Sequence, residues 1–272
     1  LLDMLVAFAD IGDRIAWTPG GDACRLEIQD RLTRPDPIPA DTSNLAWRAL
    51  ALAGRLGARP LAGRLTVDKS LPSGAGIGGG SSDAAATLRA LLAGQAVEEA
   101  LIRGEALALG ADLPICLAGH PARVEGIGER ITPVTLAHPL PIVLVWPGAG
   151  LGTPEVFRAR RTAFTADIAA GPTTEFAGTV SDSAISGLAR DPLSAIAGLR
   201  NDLEEAACAL LPAVGRALAA LQGCGGCRLA RMSGSGSTVV GYFTDPEAAD
   251  DAAAGIARAH PSWWVRAGNL LP

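Results

Sequence analysis

At 272 residues, 49% of them apolar and 19% charged, the chain has the composition of a soluble globular protein and the length for two domains. A net charge of −5 argues against nucleic acid as the main partner, because a phosphate backbone calls for a basic face. No apolar run reaches the roughly 18 to 20 residues of a membrane span, no leader opens the sequence, and the five scattered cysteines do not make a disulfide framework, so no membrane is expected and the cytoplasm is the expected compartment.

Alternation predicts strands from Arg14 to Trp17 and from Cys24 to Ile28 on either side of a Pro19-Gly20-Gly21-Asp22 turn. A proline-rich loop, Arg34 to Pro39, leads to Asp41-Thr42-Ser43-Asn44, which caps a helix from Leu45 to Leu56 that Gly57 stops. Arg64 to Lys69 reads as a half-buried strand, and Lys69 is the only lysine in the chain. Next comes Leu71-Pro72-Ser73-Gly74-Ala75-Gly76-Ile77-Gly78-Gly79-Gly80-Ser81-Ser82-Asp83, and then a helical run from Ala86 to Ala93.

Strand, glycine-dense turn and helix start together describe an anion site. Five glycines in seven positions, Gly74 to Gly80, leave the backbone N–H groups uncovered. Ser81, Ser82 and Asp83 are the candidate caps of the helix, whose dipole adds partial positive charge. A Walker loop is excluded because no Gly-Lys-Ser/Thr follows. Gly74, Gly76 and Gly79 satisfy G-x-G-x-x-G, with Glu98 or Glu99 near the place of a ribose-binding acid, but Gln95 to Ala100 reads as a helix start instead of the second strand that a dinucleotide fold needs. A kinase loop is the third reading.

Further on, a helix runs from Glu98 to Leu109 with Gly110 as its cap. Ala111-Asp112-Leu113-Pro114 leads into an apolar, strand-like segment ending at Leu117. Val124 to Glu129 is a turn between strands, and Ile131 to Leu136 closes the first half. His138-Pro139-Leu140-Pro141 divides the chain into domains 1–137 and 138–272. A buried strand from Ile142 to Trp146 follows, and Thr153-Pro154-Glu155-Val156-Phe157 opens a helix. Residues 162 to 198 carry only short helices and mobile loops. Asn201-Asp-Leu-Glu204 has the form of a capping box for a helix to Leu221, broken or bent at Pro212. Strands from Cys227 to Met232, Ser237 to Phe243 and Trp263 to Ala267, with a helix from Asp245 to Ala259, complete the order of a ferredoxin-like α/β sandwich. Cys224-Gly-Gly-Cys227 is a lone C-x-x-C without the partners of a zinc site.

Six segments, Gly74 to Ser82, Gly110-Ala-Asp-Leu-Pro114, Glu125-Gly-Ile-Gly-Glu129, Asn201-Asp-Leu-Glu204, Met232-Ser-Gly-Ser-Gly-Ser237 and Gly268-Asn-Leu-Leu-Pro272, stand in one order along the chain. With them the sequence resembles the 4-diphosphocytidyl-2-C-methyl-D-erythritol kinase family, within the galactokinase, homoserine kinase, mevalonate kinase and phosphomevalonate kinase (GHMP) superfamily. The resemblance implies an α+β, two-domain architecture with a ribosomal-protein-S5-like N-terminal half and a ferredoxin-like C-terminal half. It also implies ATP with Mg²⁺, a cytidine diphosphate conjugate of methylerythritol as small-molecule substrate, and a monomer or homodimer. Family members carry, ahead of the point where this sequence starts, a Pro-Ala-Lys strand with an active-site lysine and a Gly-Tyr-His that helps to hold cytidine.

By this resemblance Asp112 is the general base. Pro72, Gly74, Gly76, Gly78, Gly79, Gly80, Ser81 and Ser82 wrap the phosphates, and either serine can approach Mg²⁺. Asn44 and Lys69 stand at the adenine and ribose end, and Thr153, Pro154 and Phe157 line the cytidine pocket with Phe157 stacked on the base. Ser233 to Ser237 forms a second backbone wall beside the phosphate loop. Read without the resemblance, Asn44 is a helix cap, Lys69 a strand-end charge, Asp112 a turn residue and Phe157 a core aromatic. Another kinase of the superfamily, of the homoserine or phosphomevalonate type, stays open as an alternative, as do a dinucleotide-dependent oxidoreductase and a nucleotide-binding module without catalysis.

Overall fold

The computed structural model describes residues 2–32, 37–58, 62–95, 97–160 and 180–272. Residues 34 to 36 of the proline-rich loop, and residues 162 to 179 of the stretch expected to hold short helices and loops, lie outside the described residues. Among the described residues ten strands form three sheets: β1 (Leu2–Val6) with β5 (Ala122–Gly126) and β6 (Arg130–Pro133); β2 (Arg14–Pro19) and β3 (Cys24–Asp30) flanking β4 (Gly63–Lys69); and β7 (Leu140–Trp146), β8 (Cys227–Met232), β9 (Val239–Phe243) and β10 (Trp264–Leu270).

The four-stranded sheet has the order β10-β7-β9-β8, antiparallel throughout. The β7 run Leu140 to Val145 is buried at every position because both faces of its sheet are covered. Val143 and Val145 point into a core shared with α8 (Glu204–Leu210), α9 (Pro212–Gln222) and α10 (Pro246–Ala259), while Leu140, Ile142 and Leu144 pack on the other face with Leu71, Val134 and Leu188. A separate core joins α1 (Leu45–Arg55), α2 (Gly79–Leu92) and β4 through Ala49, Leu52, Leu65, Val67, Ala84 and Leu88. The motif Gly268-Asn-Leu-Leu-Pro272 ties the two ends of the chain together: the Asn269 amide donates to Asp10 Oδ1 at 2.7 Å, and its side-chain nitrogen donates to Asp10 Oδ2 at 3.0 Å.

Several elements depart from expectation. The two strands expected on either side of the turn at Pro19 to Asp22 are present but do not pair with each other. β4 lies between β2 and β3, antiparallel to the first and parallel to the second, and the turn arches over the start of β4 through Gly20 N–H to Ala62 O and Gly63 N–H to Ala23 O. The parallel pairing of β3 with β4 becomes possible because α1 supplies the crossover between them. Leu2–Val6 is a strand that the sequence pattern did not reveal. The segment after Asp112 is a helix, α4 (Leu113–Ala118), not a strand. Pro114 suits its first turn and Gly119 closes it at φ +70°, and an apolar run this short fits either period. α3 spans Glu99–Leu107, so Gly110 lies beyond its cap, Ala108. As expected, the helix after Asn201 is divided at Pro212, into α8 and α9, with Leu211 forced out of helical geometry at φ −133° and ψ 89°.

Candidate active site

The glycine-rich loop joins β4 to α2, and its helix begins earlier than expected. Gly78 is the N-cap, held at φ +69°, a left-handed conformation that glycine adopts without penalty. Ser81, Ser82 and Asp83 are therefore inside the helix and are not its caps. No side chain caps α2 and no acid stands in its first turn. The first-turn amides of Gly79, Gly80 and Ser81, which no helix can satisfy internally, stand at the positive end of the dipole.

Backbone meets backbone on the other side of the loop. A Cβ on Gly76, at φ +74°, would lie 1.9 Å from the carbonyl oxygen of Gly236, so only glycine allows this approach. Thr238 donates to the Ala75 carbonyl from its N–H at 3.1 Å and from its hydroxyl at 2.7 Å. Ser237 donates its hydroxyl to Ala149 O, and a Cβ on Gly150 would come within 2.8 Å of Gly74 O. The Ser233 to Ser237 turn is thus the second wall that the sequence led us to expect.

Below the loop lies a buried ion cluster that the sequence did not disclose. Lys69, 5% exposed, places its ammonium between Asp13 and Asp83, with Asp83 Oδ2 at 2.8 Å. Asp13 Oδ1 also accepts from the Ser70 and Leu71 amides at 2.6 and 2.9 Å, so the same carboxylate clamps the entry to the loop. Burial works against the charge on Lys69, but the two carboxylates more than offset it and its pKa is raised. Burial likewise pushes Asp83 up to about 6, against the pull of Lys69 and with the help of Asp13, because one cation serves two carboxylates. The lysine is not the strand-end charge it resembles in sequence, since its ammonium is spent on these partners.

A cleft of about 1060 Å³ opens above the loop, and its walls include Gly76, Gly78, Ser82, Asp112 and Phe157. Asp112 occupies the N-cap position of α4 but its carboxylate does not cap that helix. Water reaches this residue, yet the walls around it desolvate the carboxylate and raise its pKa above the ordinary aspartate range. α4 packs on α2, where Cys116 Sγ lies 3.6 Å from Ser82 Oγ. Burial lifts that thiol to about 11, which removes it as a nucleophile. Phe157, 36% exposed on α5 (Thr153–Ala159), lines the cleft and is not a core aromatic.

Other expected residues stand outside these walls. Asn44 is a helix cap, accepting from Ala46 N–H and donating to Pro39 O. Pro72 is buried beside the loop, while Gly79, Gly80 and Ser81 form the first turn of α2. Thr153 and Pro154 start α5, and the Thr153 hydroxyl is 2.8 Å from that of Ser235 in the second glycine turn. The capping box at Asn201 is not one: α8 begins after Leu203, and Asn201 and Glu204 reach across to the Met232 to Gly234 segment. Among the described residues no three His, Cys, Asp or Glu side chains group to hold a metal ion, and no helix is long and apolar enough to cross a membrane.

Comparison with known proteins decides the family. Residues 44–121 match the model of the GHMP kinases N terminal domain, and residues 184–262 match that of the GHMP kinases C terminal domain. A 4-diphosphocytidyl-2-C-methyl-D-erythritol kinase of Dinoroseobacter shibae is 43% identical over 287 aligned positions, covering 97% of this chain and 85% of the relative. The chain belongs to the 4-diphosphocytidyl-2-C-methyl-D-erythritol kinase family. A crystal structure of 4-(cytidine 5'-diphospho)-2C-methyl-D-erythritol kinase superposes with a TM-score of 0.76 at 32% identity, covering 99% of this chain and 90% of that one. A homoserine kinase from Cytophaga hutchinsonii reaches a TM-score of 0.71 at 16% identity over 98% of this chain and 89% of its own, a likeness of fold alone. In this chain the two matched segments carry the two glycine turns that meet at Gly76 and Gly236.

Proposed function

We propose that the chain transfers the γ-phosphoryl group of ATP to the 2-hydroxyl of 4-diphosphocytidyl-2-C-methyl-D-erythritol, a step in the non-mevalonate route to isoprenoid precursors. The observation that carries this reading is the bare N-terminus of α2 opening on the same cleft as the uncapped Asp112 carboxylate. The β- and γ-phosphates sit on the first-turn amides of α2 and the Gly74 to Gly78 backbone, between the two glycine turns. Asp112 accepts the proton of the attacking hydroxyl. The substrate oxygen forms its bond to the γ-phosphorus as the bond from that phosphorus to the β-bridging oxygen breaks, and ADP leaves. A raised pKa suits a base that must pick up a proton near neutrality better than an ordinary aspartate would.

Mg²⁺ belongs to the same reading. A magnesium ion carried on nucleotide phosphates keeps several waters and needs few protein ligands, which accords with the lack of a carboxylate cage among the described residues. Ser82, which lines the cleft, is the residue suited to it, and the ion would neutralise charge on the transferring phosphoryl. Asn44 and Lys69 would each have to give up present partners to touch the adenine or ribose, so we assign both to support of the site.

The same reading divides the chain at 138–141 into an S5-like N-terminal half and a ferredoxin-like C-terminal half. The β7-helices-β8-β9-α10-β10 order and the β10-β7-β9-β8 arrangement support the second. Thr153, Pro154 and Phe157 hold the cytidine. An aromatic stacked on a base is worth about 1–3 kcal/mol, so Phe157→Ala raises the KM for the cytidine diphosphate substrate roughly ten- to a hundredfold and leaves that for ATP unchanged. Calorimetry with CMP or CDP provides the test. Competition with the substrate and not with ATP supports the assignment; no binding of cytidine nucleotides by the folded protein sinks it and leaves only the wider kinase reading.

A further inference from the structure

Asn201 and Glu204 stand three residues apart, as a capping box requires, yet neither caps a helix. Both amide hydrogens of Asn201 are spent across the cleft on the second glycine turn: its Nδ2 donates to Met232 O at 2.9 Å and to Gly234 O at 2.7 Å. Its Oδ1 accepts from Leu203 N–H at 2.9 Å, which fixes the rotamer that aims the amide. Glu204 Oε2 accepts from Met232 N–H at 2.7 Å. Two side chains on one helix start therefore hold both polar groups of the Met232 backbone and the carbonyl two residues on. Beyond that clamp, Gly234 and Gly236 pack directly on Gly76 of the phosphate loop.

We infer that Asn201 and Glu204 are positioning residues for nucleotide binding, holding the Ser233 to Gly236 turn against the phosphate loop so that its backbone closes one side of the phosphate site. The inference rests on the reading of α2 as that site. The three acceptor and donor groups lie at the end of β8, where Met232 pairs with Val239 and one further backbone bond, Ser233 N–H to Thr238 O at 2.9 Å, ties the turn toward β9, so the clamp adds to strand pairing. An isosteric Asn201→Asp turns two donated hydrogen bonds into an oxygen facing two carbonyl oxygens, without changing volume. Glu204→Ala removes the acceptor for Met232 N–H, whereas Glu204→Gln keeps an oxygen in its place.

Calorimetry with ADP and with a non-hydrolysable ATP analogue, joined to steady-state kinetics and amide hydrogen exchange of residues 232–236, tests this. Asn201→Asp is expected to weaken nucleotide binding roughly tenfold and Glu204→Ala several-fold. Glu204→Gln should recover most of the latter loss, the KM for the cytidine diphosphate substrate should change less than twofold, and exchange at 232–236 should quicken in the two damaging variants. A folded Asn201→Asp that binds nucleotide like the parent, or a Glu204→Gln as impaired as Glu204→Ala, overturns the inference. If Asn201→Asp does not fold, Glu204→Ala and Glu204→Gln decide alone. If the parent itself binds no nucleotide, the functional reading fails and hydrogen exchange still decides the clamp: unchanged exchange at 232–236 in the variants contradicts it.

Discussion

Two helices of equal length, α2 and α10, each of 14 residues, begin in opposite ways. α10 provides for its own start: Asp245, in extended geometry, accepts from Glu247 N–H at 3.1 Å, Pro246 occupies the first turn, and the Glu247 carboxylate adds negative charge at the positive end. α2 has none of these, only a left-handed Gly78 that lines the cleft and a first turn without a side-chain cap or an acid. Its earliest acid, Asp83, is turned inward to Lys69. A helix that neutralises its own end serves packing, and α10 buries Ala249, Ala252 and Ile256 in the core of its half. A helix left unneutralised near the Asp112 carboxylate is, on the proposed function, suited to receive an anion.

The largest effect comes from making α2 resemble α10. Gly78→Asp sets a carboxylate at the entrance to the helix and should raise the Kd for ATP roughly ten- to a hundredfold, through repulsion of the phosphates and loss of their place on the dipole. Gly78→Asn carries the same backbone strain at φ +69° without the charge. Calorimetry on the pair isolates electrostatics: equal losses in both would assign the effect to strain and remove the contrast with α10.

A pH titration of stability addresses the inward-turned acid. Asp83 has a folded pKa of about 6 against 3.8 for the free side chain, so the native state holds its proton more firmly than the unfolded chain does. Its contribution is present below the lower value and is lost as pH rises through the higher one. The stability of the parent relative to Asp83→Asn should therefore decline between about pH 4 and pH 6 and level off above, as followed by denaturant unfolding. A difference that grows with pH over that range would mean that Lys69 dominates the site.

The smallest effect is at α10 itself. Asp245→Ala should cost about 1 kcal/mol of stability, the ordinary value of a lost cap, and should leave the KM for ATP where it was. A shift in nucleotide affinity without a change in the unfolding midpoint would erase the distinction between the two helix starts.

Much of this was legible in the sequence where the information is local. Strand β4, the glycine turn and the following helix are legible because glycine density and helix periodicity act over a few residues, and Asn44, Asp245 and Pro212 mark their helix boundaries for the same reason. What stayed hidden depends on distant residues. Nothing near Asp13 signals that it will meet Lys69, 56 positions on. The two strands on either side of Pro19 to Asp22 were legible, but not that β4 lies between them, a place set by tertiary packing. The capping box at Asn201 was misleading because its spacing is right and its partners are not: the same two side chains bond to a turn about 30 residues away (31 for Asn201 and Met232). Phe157, a core aromatic when the residues are read without the family, instead lines the cleft, because the helix face it occupies is set by tertiary packing.

Asp112 tests the account most directly. Phosphoryl transfer from ATP to 4-diphosphocytidyl-2-C-methyl-D-erythritol, followed by phosphorus NMR in the parent and in Asp112→Asn alongside the nucleotide Kd of each, separates chemistry from binding. We expect ADP and a new phosphate ester from the parent, a fall in turnover of about 10² or more in the variant, the range for a lost general base, and the same nucleotide affinity in both. An Asp112→Asn enzyme that turns over at the parent rate would contradict the mechanism.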